Sequence, residues 1–119
     1  MLPRPQVLFL VVLAAGAYVW FVPHGQTLPG PKARELVQQG ALLVDVRTPA
    51  EFSAGHLEGA VNLPLGSVVE AVRDPALHAE ARDLVVYCRS GHRSAQAVEQ
   101  LKKAGVVWVH DLGSLSNWE

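Results

Sequence analysis

The chain of 119 residues holds one cysteine, Cys88. Its neighbours are the residues best suited to chemistry. Cys88-Arg89-Ser90-Gly91-His92-Arg93-Ser94 lies between an apolar run, Leu84-Val85-Val86-Tyr87, and a segment of helical periodicity. Such a loop makes a thiol reactive. Its backbone N–H groups can converge on one point. The helix that follows presents unpaired N–H groups and the positive end of its dipole there. Arg89 and Arg93 add full positive charge. All three effects favour thiolate over thiol. A free cysteine titrates near ~8.5, and helix starts with basic neighbours bring it to roughly 3.5–7.5. The same site attracts an anionic substrate, and Gly91 lets the backbone bend where a side chain would obstruct it. The bland alternative is a buried strand-end cysteine that behaves as a small hydrophobe. It leaves the polar and basic neighbours without a purpose.

The elements that must position this loop follow from periodicity. Pro31 suits the first turn of a helix, Ala33, Leu36 and Val37 form its apolar stripe, and Gly40 stops it. Ala41 to Val46 is a short continuous apolar run, the pattern of a strand buried on both faces. Thr48-Pro49-Ala50-Glu51 is a capping box that opens a short helix ended by Gly55. Ala60 to Leu63 is a candidate short strand. Ser67 to Arg73 reads as a helix with Ser67 as cap, broken at Asp74-Pro75. Leu84 to Tyr87 is a second strongly apolar strand. Cys88 to Arg93 follows as loop, then a helix over Ser94 to Ala104. Val106 to Val109 is a third strand, after which Gly113 turns the chain. Strands alternating with helices predict an α/β fold, a parallel sheet flanked by helices. Ligands in such folds sit at the carboxyl ends of the strands, which again selects the loop after Tyr87.

Composition excludes several classes. One cysteine forbids an intramolecular disulfide framework. Ten Lys and Arg against 11 Asp and Glu give no basic surplus, so no nucleic-acid partner is expected. Half the residues are hydrophobic, which argues against disorder. That hydrophobicity is uneven. Residues 1–22 hold 17 hydrophobic residues and one charge, Arg4. They are expected to form one hydrophobic N-terminal helix, followed by a linker over 23–30 and a domain over 31–119. A cleaved secretory signal fits, with Ala15-Gly16-Ala17 as the small-residue site. An uncleaved anchor that attaches the protein to a membrane through residues 7–22 fits as well, since Tyr18, Trp20 and Phe21 suit a membrane–water interface. Arg4 ahead of the run leans toward a domain outside the cytoplasm, periplasmic or otherwise extracytoplasmic.

Several blocks together carry a resemblance. They are Leu43-Val44-Asp45-Val46-Arg47, Glu51-Phe52, Gly55-His56-Leu57-Glu58-Gly59-Ala60-Val61-Asn62-Leu63-Pro64 and Val85 through Ser94. Gly105 before a strand, Gly113 and Trp118 follow in order. The domain from about Pro31 to Trp118 resembles a single-domain rhodanese, a thiosulfate-type sulfurtransferase. The resemblance implies the rhodanese fold and a persulfide on Cys88. It implies transfer of sulfane sulfur from a thiosulfate-like donor to a thiol or cyanide acceptor. Arg89, Ser90, Gly91, His92 and Arg93 would bind the substrate, and no metal or organic cofactor is implied. Cysteine-based phosphatases have five residues between Cys and Arg; here that Arg position holds Ser94, and Arg93 arrives one residue early. A redox-active or sulfur-sensing cysteine protein and a non-catalytic binding module are the alternatives.

Other polar residues are assigned mainly to structure. Asp45 and Arg47 flank the end of a strand near the site and read as structural. His56 has no partner at metal-ligand spacing. His92 could tune the thiol or sit at the rim. His24, His78 and His110 belong to no constellation, and Trp108 and Trp118 read as packing.

Overall fold

The computed structural model describes residues 26–119. Before them it describes only the backbone of two short antiparallel strands, β1 (Phe9–Val12) and β2 (Tyr18–Phe21). The hydrophobic helix expected over residues 1–22, signal or anchor, falls on a stretch that otherwise lies outside the described residues. Among the described residues no helix is long and apolar enough to cross a membrane.

The remaining elements form an α/β layer structure. Helix α1 (Gly30–Gln38) has proline in its first turn and buries Ala33 and Leu36. Strand β3 (Leu42–Asp45) is buried along its whole length, as its continuous apolar run predicts. The Thr48–Glu51 capping box opens α2 (Pro49–Ala54), and Gly55 ends it. Strand β4 (Val61–Asn62) is short. Strand β5 (Leu84–Cys88) is fully buried. Helix α4 (His92–Lys103) follows it, and β6 (Val109–Ser114) completes a four-stranded sheet of order β4-β3-β5-β6. Every pairing in that sheet is parallel.

Period-two alternation divides the sheet between two apolar layers. Leu42, Val44, Leu84, Val86 and Cys88 face the side covered by α4 and the short helix α3 (Val68–Ala71). Leu43, Val85 and Tyr87 face α1 and the C-terminal turn Leu115–Trp118. Arg34 of α1 donates from Nη1 to the Trp118 carbonyl, which ties that turn to the helix.

Four expectations need correction. The helix expected over Ser67–Arg73 is a 3-10 turn at Leu65–Ser67 followed by α3, and the Ser67 side chain makes no cap bond. Helix α4 begins at His92, not Ser94, because Gly91 takes a left-handed φ of 101° and lets the helix start earlier. The third strand is β6, not Val106–Val109. Gly105 closes α4 with φ 98° and the Val106 N–H returns to the Leu101 carbonyl. Val107 is consequently 72% exposed. Pairing then runs on through polar residues, because His110 is buried against Asp83 at 2.9 Å. Gly113 does not turn the chain. It sits inside β6 with φ 84° at a register shift, where Val86 pairs Asp111 but Tyr87 pairs Gly113. Leu112 is the extra residue of a β-bulge.

Leu101 lies under α4 with no exposed surface. Truncation to alanine removes buried methyl groups and leaves a void, so Leu101→Ala is expected to lower the unfolding free energy by about 2–5 kcal/mol. Urea unfolding of the domain measures this, and a loss under about 1 kcal/mol would contradict the packing described.

Candidate active site

Cys88 ends β5 with its side chain on the α4 side of the sheet and no exposed surface. It is a free thiol. Only Arg89, Ser90 and Gly91 separate it from the first residue of α4. The chain therefore reverses sharply, and the N–H groups of the helix start turn back toward the sulfur. Gly91 N–H donates to Sγ at 2.9 Å and Ser94 N–H at 3.4 Å. Burial pushes the Cys88 thiol up. The Ser94 N–H and hydroxyl and the N–H groups of Gly91 and Ser90 pull it down and prevail, so the thiol lies below its ordinary value. This is hydrogen bonding to the charged form overcoming desolvation.

The loop is braced from the end of β6. Ser94 Oγ donates to the Gly91 carbonyl at 3.0 Å and reaches the Gly113 carbonyl at 3.5 Å. Ser114 Oγ donates to the Arg89 carbonyl at 2.7 Å. These bonds occupy the carbonyls of Arg89 and Gly91, while the Gly91 N–H is turned to the sulfur. Asp111 accepts from the Gly113 N–H at 2.8 Å. Burial raises its carboxyl above the usual range, against the opposing hydrogen bonds from Ser94 and Gly113.

The two loop arginines differ. Arg93 donates from Nη1 and Nη2 to the two carboxylate oxygens of Glu51, at 2.7 and 2.9 Å. That carboxylate also accepts from the Thr48 N–H and hydroxyl at 3.0 Å. The Arg93 guanidinium first, then the Thr48 N–H, hold the Glu51 carboxyl far below the usual carboxylate range. Arg89 is exposed, and its guanidinium has no hydrogen bond or ion pair among the described residues. Ser90 and His92 are exposed beside it.

Asp45 and Arg47 lie at the carboxyl end of the neighbouring strand and form a buried pair. Arg47 Nη2 meets Asp45 Oδ2 at 2.7 Å, and Nε lies 3.0 Å from both carboxylate oxygens. The same Nη2 donates to the Gly55 carbonyl at 2.7 Å, which ties the end of α2 to the strand. Asn62 donates to the carbonyls of Asp45 and Arg47 at 3.0 Å each. The Arg47 guanidinium lies 5.9 Å from the centre of the Tyr87 ring. Burial pushes the Tyr87 phenol up to about 12, and its oxygen accepts the Leu57 N–H at 3.1 Å. Among the described residues, the hydrogen bonds to Cys88 Sγ come from the loop and α4 and not from this cluster. It shapes the loops on either side.

His56 is exposed, stacks on Phe52 with ring centroids 3.6 Å apart, and holds the Phe52 carbonyl at 2.8 Å through Nδ1. Among the described residues no group of three His, Cys, Asp or Glu could hold a metal ion. Residues that the periodicity did not single out complete the site. Glu51 was visible as half of a capping box and in the Glu51-Phe52 block, but not as the partner of Arg93. Asp111 and Ser114 were concealed because the third strand was expected to end before them.

The comparison with known proteins agrees with this geometry. Residues 31–119 match the rhodanese-like domain family. The chain is 34% identical over 96 residues to thiosulfate sulfurtransferase 16, chloroplastic, of Arabidopsis thaliana, with 72% of this chain and 80% of that one covered. It is 35% identical over 74 residues to the thiosulfate sulfurtransferase PspE of Escherichia coli, with 62% and 70% covered. The structure of the human single-domain sulfurtransferase TSTD1 superposes with a TM-score of 0.65 at 30% identity, covering 77% of this chain and 93% of that one. The chain spans about half the length of two other relatives. It covers 51% of an uncharacterised protein of Synechocystis and 52% of the senescence-associated protein DIN1 of Raphanus sativus.

The cradle sets a measurable quantity. Titration of Cys88 followed by ultraviolet thiolate absorbance is expected to show a midpoint below the ~8.5 of a free cysteine. In Ser94→Ala that midpoint moves up, since the hydroxyl that favours the thiolate is gone. A wild-type midpoint at or above the free value would contradict the cradle.

Proposed function

Since this chain belongs to the rhodanese-like family, we propose that it is a sulfurtransferase that carries sulfane sulfur on Cys88 between a thiosulfate-like donor and a thiol or cyanide acceptor. The observation that carries this reading is the convergence of the Gly91 and Ser94 N–H groups on Cys88 Sγ. Those groups stabilise a sulfur anion at the end of a short loop. A persulfide is such an anion, one sulfur atom further out.

The cycle has two displacements on sulfur. The Cys88 thiolate attacks the outer sulfur of thiosulfate. A sulfur–sulfur bond forms to Cys88, the donor's own sulfur–sulfur bond breaks, and sulfite leaves with the bonding pair. Charge is conserved, since a thiolate and a dianion become a persulfide anion and the sulfite dianion. An acceptor thiolate or cyanide then attacks the outer sulfur of the persulfide. The new persulfide or thiocyanate departs, and the Cys88 thiolate is regenerated. No proton or electron is needed from outside. The loop N–H groups hold the anion at both stages, at a point where water is excluded and their dipoles act strongly. Because Cys88 has no exposed surface, the exposed rim formed by Arg89, Ser90 and His92 must yield for a donor to reach it.

Thiosulfate and cyanide added to the protein are expected to yield thiocyanate, and Cys88→Ser to abolish it. Mass spectrometry after thiosulfate alone should show the gain of one sulfur atom on Cys88. Absence of both products would overturn the reading, and hydrolysis of an aryl phosphate instead would replace it with a phosphatase.

The domain's location is proposed to be extracytoplasmic, on the support of the apolar run in residues 1–22 and Arg4 ahead of it. Fractionation with intact-mass analysis is expected to find either an exported form that begins at Tyr18 or a membrane-bound form that begins at Met1. A full-length form in the cytoplasm would refute this.

A further inference from the structure

One carboxyl beside the cradle has no part in the cycle. Asp111 lies on β6 abreast of Val86 of β5. Alternate residues of a strand share a face. Val109, two residues earlier, packs in the apolar layer under α4 with Val86 and Cys88, and Leu112 packs in the opposite layer. The Asp111 side chain therefore faces α4, on the side of the sheet that carries the sulfur. It is half-buried there. A carboxylate against an apolar layer carries a desolvation cost, and packing alone does not call for one.

Short contacts link it to Cys88. Asp111 Oδ1 accepts the Gly113 N–H at 2.8 Å, and the Gly113 carbonyl lies 3.5 Å from Ser94 Oγ. The Ser94 N–H donates to Cys88 Sγ at 3.4 Å. The Ser94 hydroxyl is the shared element. It has one hydrogen to give, and the Gly91 carbonyl already takes it at 3.0 Å. The same hydroxyl favours the charged form of Cys88 and the charged form of Asp111. It cannot serve sulfur and carboxylate in full at once. Lys102 of α4 is the cation that favours the Asp111 carboxylate.

We propose that Asp111 is a positioning residue for sulfur transfer: by competing for the Ser94 hydroxyl it limits how far the cradle stabilises the Cys88 thiolate, and so keeps the sulfur nucleophilic. This inference rests on the sulfur-transfer reading and deepens it. A cradle made of donors alone has a drawback. A thiolate loses nucleophilicity as its basicity falls, while it becomes a better leaving group. Cys88 must be both. In the first displacement it attacks the donor and sulfite leaves. In the second it is itself expelled as the acceptor takes the outer sulfur. Asp111 shifts the balance toward attack, since its charge and its draw on the hydroxyl make the sulfur more basic. No bond is made or broken at Asp111.

Asp111→Asn removes the charge, keeps an oxygen for the Gly113 N–H and offers an amide donor to Ser94 Oγ. The Cys88 titration midpoint is expected to fall by about 0.5 unit or more, the direction set by loss of a like charge. The two half-reactions, measured separately by stopped flow above both midpoints, then move in opposite directions. Loading of Cys88 from thiosulfate slows by about 1.5- to 2-fold, and unloading to cyanide quickens by a similar factor. A structural disturbance alone would slow both. In a Ser94→Ala background the same substitution moves the midpoint less than about half as far, because the shared hydroxyl is gone. An unchanged or raised midpoint in Asp111→Asn would overturn the inference, as would half-reactions that change together or a full shift without Ser94. Wild-type protein that takes no sulfur from thiosulfate overturns the sulfur-transfer reading itself, and the inference with it, even where the midpoint shifts as expected.

Discussion

A sulfur anion in a place with no exposed surface must be solvated by the protein. That constraint organises the molecule. Water contributes nothing at Cys88 Sγ, so backbone N–H groups take its place. These groups point inward only if the loop between β5 and α4 is very short and the helix starts on its far side. Gly91 makes that start possible, because its φ of 101° lies where other residues are strained. The other polar contacts near the site keep this geometry from relaxing. Ser114 and Ser94 bond the carbonyls of Arg89 and Gly91, and Glu51 holds Arg93.

Rigidity is supplied from below the loop by apolar burial. A strand buried on both faces between α1 and α4 cannot shift without opening two layers at once, and protein interiors resist such changes. The buried Asp45–Arg47 pair extends that firmness to the neighbouring strand end. A buried ion pair contributes little net stability compared with an apolar replacement, but removal of one partner is costly. It therefore acts as a fixed anchor for the loops after β3, with Gly55 and Asn62 fastened to it. Firm ground on one side and a short loop on the other suit a site that binds an atom rather than a large group.

How much of this was legible beforehand differs by element. The strands at Leu42–Asp45 and Leu84–Cys88 were readable because both faces are buried and the apolar run is unbroken. The cap of α2 was readable because Thr48, Pro49 and Glu51 are adjacent in sequence. Strand β6 was misplaced because apolarity marked Val106 and Val107, whereas pairing uses His110 and Asp111. A buried histidine satisfied by Asp83, just ahead of β5, leaves no local trace. The candidate nucleophile and its loop could be picked out from local sequence. The Glu51–Arg93 contact was not, since it joins residues that only the fold brings together. Both arginines looked equally available until the contact of Arg93 with Glu51 was known.

The bulge at Leu112 bears on how such a sheet tolerates change. A strand keeps a strict odd–even parity, so one added residue exchanges the inward and outward sets beyond it. Here the extra residue is absorbed between the Asp111 and Gly113 pairings. Upstream of it, His110 keeps phase with Val85. Downstream, Ser114 comes abreast of Cys88 in time to brace its loop. Leu112 is the out-of-step residue, and the φ of 84° at Gly113 lets the pairing resume. A one-residue deletion there would preserve the hydrophobic content of the strand and its length almost intact, yet carry the Ser114 hydroxyl away from the Arg89 carbonyl. The two ends of β6 are thus tuned separately, the lower to the core and the upper to the chemistry, by a single out-of-step residue between them.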